Sequence, residues 1–367
     1  MEPFKNKINL PLIEKLAARV RDVSTDFDSE AFVRIAGAGL SRLELKARID
    51  HVAGALQTCL PGPYPKDLDT LLETLPPPFE SESGWGDTIF VTWIHAHFVQ
   101  RFGLDDVMPS LNAMVEITQR GSCEFAVRPF LIRHPTSTRA FLTSQLGHES
   151  PHVRRWISEG TRPRLPWGER LDALVFDPSP NLPLLEALRR DDSTYVQTSV
   201  ANHIGDIAKD HPGLAVELVE KWQDEGFARA PWIAKRALRH LIKKGHKGAL
   251  KALGYADGTA ATVSRLTVDK TRVRIGEDVV CSFVLEAGAD EKLNVDIGVD
   301  FVTARGKTSR KVFKLKSLEV EAGQFIPLKK KQRLRPLATR NIYPGEHVLT
   351  VLVNGTALAR IPFLVVA

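Results

Sequence analysis

Cysteines are scarce in this sequence of 367 residues. Cys59, Cys123 and Cys281 lie far apart and form neither a CxxC pair nor a ladder with histidines. This spacing argues against a zinc ribbon and against a disulfide framework, and it fits a reducing compartment such as the cytoplasm.

Long apolar runs are missing as well. No stretch approaches the roughly 18–20 apolar residues that span a membrane, and no secretory core follows the first charged residues. The hydrophobic fraction of 43% and the charged fraction of 26% are those of a soluble chain with a sizeable core. The length favours two domains, and secreted, membrane-bound and disordered proteins are excluded.

The signatures of several enzyme classes are also absent. The chain has no GxGxxG after a predicted strand, no GxxxxGK[ST] loop, no HExxH pair and no GxSxG elbow. Dinucleotide-binding enzymes, nucleotide hydrolases and the common hydrolases therefore lose most of their support.

The character of the chain changes near residues 254–258. Beyond this point β-branched residues alternate with charged ones, as half-buried strands require. Seven strands are predicted, with starts near Thr262, Val279, Leu293, Ser309, Gln324, His347 and Ala357. Asn354-Gly355 is a hairpin-turn signal between the last two. We therefore predict a small all-β, immunoglobulin-like sandwich over residues 259–367.

Residues 1–258 are predicted to be helical. Near the start of this region, Leu12, Leu16 and Val20 fall on one face of a helix. Three later segments share a small or polar start and a β-branched anchor, and these anchors, Val153, Val196 and Ile233, lie 43 and 37 residues apart. That period is close to the period of HEAT-type helical pairs. The predicted class is mainly α, a HEAT-like solenoid followed by the sandwich, with an irregular helical bundle as the alternative for the helical part.

Positive charge is concentrated at the C-terminal end. Residues 259–367 carry 18 Lys and Arg against 11 Asp and Glu, or +7, whereas the rest of the chain carries −1. A basic module on a nearly neutral body suggests a polyanionic partner, and solvated surface charge explains the imbalance equally well. The basic run 329–335 has the same two explanations, because lysines also protect edge strands from pairing.

Carboxylates, aromatic residues and arginines gather in the middle of the chain. Glu124, Phe125 and Arg128 lie within about one helical turn. The segment SEGTRPRLPW (158–167) predicts a rigid loop after a helix. Asp206 shares a polar helical face with Asn202. Taken singly, each residue is more often a surface ion-pair partner or a packing residue than a functional one.

Three fragments together change this interpretation. SCEFAVRPF, HVRRWISEGTRPRLPW and SVANHIGDIAKDHP resemble the signature segments of the AlkC-type DNA alkylation repair glycosylases, which are related to the AlkD group with HEAT-like repeats. The similarity extends over residues 1–255, and some members of the family carry an Ig-like domain. The resemblance implies excision of cationic N3-methylated bases, such as 3-methyladenine and 3-methylcytosine, from double-stranded DNA.

The resemblance also implies roles for individual residues. Glu124 and Asp206 would be the catalytic acids, and Phe125 and Trp167 would line the place of the lesion. The basic residues expected to contact DNA are Arg128, Arg154, Arg155, Arg162, Arg164, Lys209 and Lys235. Gln197, Thr198 and Gly205 depart from the family pattern, which puts a phosphate contact and a hydrogen bond beside Asp206 in doubt.

The reaction fits these residue types. A cationic base leaves readily, so the enzyme must stabilise the positive charge that develops on the deoxyribose, and carboxylates do this best. One carboxylate can orient the attacking water, and aromatic faces attract cations. We expect base excision without strand cleavage, base flipping, a metal ion or any other cofactor, by a monomer that needs no protein partner.

Two further functions remain open. A non-catalytic HEAT-repeat scaffold would not need Glu124 and Asp206, and an inactive relative would only bind damaged DNA. The joint presence of both acids with Phe125 and Trp167 favours the enzyme.

Overall fold

Helix α1 (Leu10–Val23) forms at the first amphipathic stretch of the chain. The Asn9 side chain accepts a hydrogen bond from the Leu12 amide at 3.1 Å and caps the first turn. Leu16 and Val20 are fully buried, on the face that the spacing predicts. These positions come from a computed structural model, which describes residues 3–82, 86, 88–337 and 340–367.

The described residues up to 252 form helices joined by short loops. After α1 these are α2 (Ser29–Gly37), α3 (Leu45–Cys59), α4 (Tyr64–Glu73), α5 (Ile89–Phe102), α6 (Val107–Thr118), α7 (Val127–Arg133), α8 (Pro135–Ser144), α9 (Pro151–Gly160), α10 (Asp172–Phe176), α11 (Leu182–Leu188), α12 (Thr194–Asp210), α13 (Pro212–Asp224), α14 (Ala230–Ala237), α15 (Arg239–Lys243) and α16 (Lys247–Ala252). Short 3₁₀ turns cover Phe4–Lys7, Leu40–Arg42 and Ser179–Asn181. None of the helices in the described ranges is long and apolar enough to cross a membrane.

The chain divides into two compact units, Met1–Asp206 and Ile207–Ala367. In the first unit, α1, α2, α3 and α5 pack around a core that includes Phe32, Leu56 and Phe98. The anchor residues Val153 on α9 and Val196 on α12 are completely buried, as expected.

The second unit contains α13–α16 and two antiparallel sheets. The strands are β1 (Thr262–Val268), β2 (Arg272–Arg274), β3 (Asp278–Glu286), β4 (Glu291–Val302), β5 (Thr308–Val320), β6 (Phe325–Arg333), β7 (Gly345–Val353) and β8 (Thr356–Val366). One sheet has the order β1-β3-β6 and the other β2-β8-β7-β4-β5, in which only β2 pairs in parallel. The two inner faces enclose a core that includes Phe283, Ile297 and Val351.

The β7–β8 hairpin turns at Asn354-Gly355, as predicted. Both residues have positive φ, 47° and 80°, which is the geometry of a type I′ turn. The turn packs tightly, because a Cβ added at Gly355 would lie 2.6 Å from the Cα of Gly245. A glycine is therefore required at this position for steric as well as conformational reasons.

The predicted fold class is confirmed: a mainly helical region precedes a β-sandwich. All seven predicted strands are present, and one strand, β2, was missed because three residues are too few to show alternation. The boundary at 258/259 and the HEAT-type pairing of the helices stay predictions.

Candidate active site

Three carboxylates and two arginines form a continuous chain of ion pairs in the first unit. Its members, which we call the acid cluster, are Glu124, Arg155, Glu159, Arg162 and Asp206. Arg155 Nη1 donates to Glu124 Oε2, and its Nη2 lies 3.6 Å from Glu159 Oε1. Arg162 donates to Glu159 at 2.6 Å and to Asp206 at 2.7 Å. The two predicted acids are thus joined through a third, Glu159, for which the sequence analysis proposed no role.

Local structure explains how these residues meet. Arg155 and Glu159 are four apart on α9, so their side chains lie on one face, and Arg162 follows three residues later, just past the end of the helix. Glu124 lies in the turn before α7, where the buried Cys123 amide donates to Thr118 Oγ1 at 3.3 Å. Helix α12 supplies Asp206 from the other side.

The acid cluster is largely removed from water. The exposed fraction of the side chain is 16% for Glu124, 8% for Glu159 and 2% for Asp206. The five side chains alone carry a formal charge of −1, and the buried guanidinium group of Arg128 interacts electrostatically with Glu124 and Asp206. Carboxylates held in such a buried site stabilise a cation that forms beside them.

The arginines keep the central acid ionised. Burial alone would raise the pKa of Glu159, but Arg155 and Arg162 bring that pKa below its ordinary value. Burial alone would lower the pKa of both arginines, and the facing carboxylates raise it. Glu159, Arg155 and Arg162 are therefore all charged at neutral pH.

Uncharged side chains form hydrogen bonds to the acid cluster and to the backbone around it. Ser122 Oγ donates to Glu124 at 2.9 Å, and Ser199 Oγ donates to Glu159 at 2.6 Å. His203 Nδ1 lies 2.9 Å from the Ser158 carbonyl, and Asn181 Nδ2 lies 3.1 Å from His203 Nε2. An amide nitrogen only donates, so His203 is neutral with its proton on Nδ1. Burial lowers the pKa of His203 to about 4.

Besides Glu124 and Glu159, Arg155 also contacts the aromatic ring of Tyr195. The Arg155 guanidinium lies 5.3 Å from the ring centroid, within cation–π range. His152 packs on the edge of the same ring at 5.6 Å. Burial raises the pKa of Tyr195 to about 12, so its hydroxyl stays protonated.

Two of the arginines that were predicted to contact DNA are buried. Arg128 is fully buried and donates to the carbonyls of Gly160 at 2.8 Å and Glu169 at 2.5 Å, so it fixes the loop at residues 161–171. Arg162 is 7% exposed and belongs to the acid cluster. A guanidinium group enclosed in this way offers no surface to a phosphate.

The remaining basic residues have mixed positions. Arg155 is bound to the acids, and Arg154 forms a two-pronged pair with Asp191 at 2.7 and 3.0 Å. Arg164 is half-buried in the loop, whereas Lys209 and Lys235 are exposed on α12 and α14. Contact of these five residues with DNA stays a prediction.

Phe125 and Trp167 line the same cavity, which has a volume of about 390 Å³. Leu45, Ile49 and Trp93 supply its other apolar walls. Trp167 is 63% exposed at the rim, and Ser122 belongs both to this cavity and to the surroundings of Glu124. The two predicted aromatic residues are therefore brought together close to Glu124, the most exposed acid of the acid cluster.

Sequence analysis missed Glu159, Ser122, Tyr195 and Ser199. Glu159 had a visible signal, since it stands at ion-pair spacing from both Arg155 and Arg162. Ser122 stands only two residues before Glu124. Tyr195 and Ser199 contact residues 40 positions earlier in the chain and left no signal in a single sequence. Across the described residues, no three His, Cys, Asp or Glu side chains lie close enough together to hold a metal ion.

Comparison with known proteins agrees with this picture. A family model described as the C-terminal Ig-like domain of the uncharacterised protein YhaZ matches residues 262–367. The uncharacterized protein YhaZ of Bacillus subtilis (strain 168) is 36% identical over 366 residues, with both chains covered in full. A solved structure of the alkylpurine DNA glycosylase AlkC from Pseudomonas fluorescens, bound to DNA with an abasic site analog, is 36% identical, covers 100% of each chain and superposes with a TM-score of 0.91. With this identity and fold along its whole length, the chain belongs to the AlkC-type family of DNA alkylation repair glycosylases, in the form that carries a C-terminal Ig-like domain.

Proposed function

We propose that this protein hydrolyses the N-glycosidic bond of cationic N3-alkylated bases in double-stranded DNA, with 3-methyladenine and 3-methylcytosine as substrates. The observation that carries the proposal is the acid cluster, which holds three buried carboxylates close to a cavity lined by Phe125 and Trp167. The glycosylase activity of the Pseudomonas fluorescens relative supports it.

The charge of the cluster suits the transition state of this reaction. When the bond to a cationic base stretches, positive charge passes to the deoxyribose, and no general acid is needed. A water-poor site with fixed negative charge stabilises that state, and it does not have to reorganise during the reaction. Neutral bases lack this lability, which would give the enzyme its selectivity.

Glu124 is the acid best placed to meet the reacting atoms. It has the most exposed side chain of the three carboxylates and lies beside the aromatic cavity. We assign to it the orientation and deprotonation of the attacking water. Asp206 and Glu159 are more deeply buried and would stabilise the sugar cation through their field.

Excision would end with an intact DNA backbone. Strand cleavage by a bifunctional glycosylase requires an amine that attacks the sugar, and the five side chains of the acid cluster include none. Lys46 lines the aromatic cavity, but its ammonium group donates a hydrogen bond to the Trp167 carbonyl. No part of this chemistry requires a metal ion or an organic cofactor.

The second unit supplies exposed cations for the DNA backbone. The guanidinium groups of Arg229 and Arg236 lie 4.3 and 5.4 Å from the ring centroid of Trp232 on α14, and Lys235 is exposed on the same helix. Basic side chains also line a cavity of about 840 Å³ in this unit, namely His240, Lys243, Lys244, Arg310, Lys311 and Arg340. Such charges bind phosphates in a salt-dependent way without reading sequence, so we assign the basic sandwich a role in DNA binding.

Release of methylated bases from DNA treated with a methylating agent tests this function. Wild type should release N3-methylated bases, and Glu124→Gln, Asp206→Asn and Glu159→Gln should each lower the single-turnover rate about 10²–10³-fold while DNA binding persists. Glu116→Gln and Asp172→Asn remove exposed acids of the same unit, with exposed fractions of 51% and 71%, and should leave the rate unchanged.

The alternatives predict different results. A folded wild type that binds methylated DNA but releases no base would be a damage sensor. A protein that neither binds DNA nor releases bases would be a scaffold. Intact activity in the Glu124 and Asp206 variants would leave a glycosylase with other catalytic groups.

A further inference from the structure

Trp167 is held in a conformation that tryptophan rarely adopts. Its φ of +65° lies in the left-handed region, which is a genuine outlier for a bulky residue and strains the backbone. The indole is 63% exposed, so burial of the side chain does not offset this strain. Interactions of the backbone must therefore stabilise the conformation.

The loop that carries Trp167 is fixed on both sides of it. Arg128 binds the carbonyls of Gly160 and Glu169, and the Gly168 amide donates to the Leu165 carbonyl at 3.1 Å. The carbonyl of Trp167 itself accepts a hydrogen bond from Lys46 Nζ, 121 residues earlier in the chain.

Lys46 is poorly placed for the stability of its own helix. It is the second residue of α3, where the positive end of the helix dipole disfavours a cation. Its ammonium group instead lies between the Trp167 carbonyl and the ring of Phe125, whose centroid is 5.9 Å away. One side chain from α3 thus contacts both aromatic residues of the cavity.

We propose that Lys46 is a positioning residue that holds Trp167 in its left-handed conformation and fixes its separation from Phe125. The inference rests on the proposed glycosylase function, in which these two aromatic residues contact the lesion. Lys46 would act through them and would not touch the reacting atoms. Its removal should slow the chemical step more than it weakens DNA binding.

Lys46→Met keeps the length of the side chain but removes its charge and its donors. We expect the single-turnover rate of 3-methyladenine release at saturating enzyme to fall about tenfold, because small displacements of a positioned group have effects of this size or larger. The dissociation constant for DNA should change less than about twofold. Lys46→Arg should restore most of the rate.

Lys66→Met is the matched control. Lys66 is an exposed lysine in the first turn of α4, so Lys66→Met removes the same charge from the same part of a helix. It should leave the rate unchanged. Equal effects of Lys46→Met and Lys66→Met would overturn the proposal, and so would weaker DNA binding with an unchanged rate, which would make Lys46 a phosphate ligand.

A double-mutant cycle tests the route through Trp167. In a Trp167→Ala background the further change Lys46→Met should cost less than it does in wild type, because the carbonyl no longer positions an indole. Full additivity of the two rate effects would overturn the assignment.

Quenching of Trp167 fluorescence by acrylamide provides a readout that needs no activity. The contribution of Trp167 is the difference between each protein and its Trp167→Ala counterpart. Lys46→Met should increase the quenching of that contribution, and Lys46→Arg should not. If wild type released no base, the proposed function would fail while this measurement still decided whether Lys46 holds Trp167; unchanged quenching would overturn the inference.

Discussion

The acid cluster of the first unit and the charged strands of the second use the same side chains in different ways. Arg162 and Asp206 meet with exposed side-chain fractions of 8% and 2%. Arg310 and Asp300 form a pair of the same length, 2.7 Å, but with exposed fractions of 42% and 13%. The difference shows that the distance between two charges does not by itself determine how much an ion pair contributes to stability.

Burial makes the charges of the acid cluster interdependent. A buried ion loses its hydration and depends on its partner, so the loss of one member leaves another uncompensated. On the sandwich, water and salt screen each charge, and one charge can be lost without affecting its neighbours. The first arrangement suits a fixed electrostatic field, and the second suits a surface for a polyanion.

Removal of one arginine from each region should give the largest difference between the two regions in the free energy of unfolding. Arg162→Met leaves Glu159 and Asp206 without their shared cation and should lower the free energy of unfolding by about 3–5 kcal/mol. Arg310→Met should lower it by less than about 1 kcal/mol. Urea unfolding at pH 7 measures both. Equal losses would show that the cluster is more hydrated than its burial indicates.

Much of the fold could be predicted because periodicity is a local property. The spacing of Leu16 and Val20 already defines a helical face, and alternation defined seven strands. The two acids and two aromatic residues came from a resemblance and not from the residues alone. The burial of Arg128 could not be foreseen, since its partners, Gly160 and Glu169, are carbonyl groups 32 and 41 residues away.

The same limit explains the residues that were missed. Arginines in a sequence are usually at the surface, so Arg162 was expected to meet DNA, and only the fold shows Asp206 facing it from another helix. The contact of Lys46 with Trp167 joins residues 121 positions apart and leaves no trace in composition or spacing.

A change of pH should have the next largest effect on the stability of the first unit. Burial lowers the pKa of His203 to about 4 from an ordinary value of 6.5. The unfolded chain therefore takes up a proton first as the pH falls, and the stabilisation, complete above pH 6.5, is lost progressively towards pH 4. The expected loss, complete below pH 4, is on the order of 3 kcal/mol.

Substitution separates this effect from general destabilisation. His203→Gln should reduce the slope of stability against pH between pH 7 and pH 5, measured by urea unfolding at each pH. Ser199→Ala also removes a buried hydrogen-bonding side chain from α12, and it should lower stability by the same amount throughout this range. A slope unchanged by His203→Gln would assign the titration to another group, such as the buried His95, whose pKa burial also lowers to about 4.

The smallest expected effect concerns a single exposed lysine of the sandwich. Lys311 on β5 is exposed and lines the basic cavity of the second unit. If its charge meets a phosphate, Lys311→Gln should weaken DNA binding a few-fold for all sequences and reduce the slope of log K against log salt by about 0.9. Stability and the single-turnover rate at saturating enzyme should not change, in contrast to every variant of the acid cluster. Binding titrations between 50 and 200 mM salt measure the slope, and an unchanged slope would show that Lys311 is only a solvated surface charge that protects an edge strand.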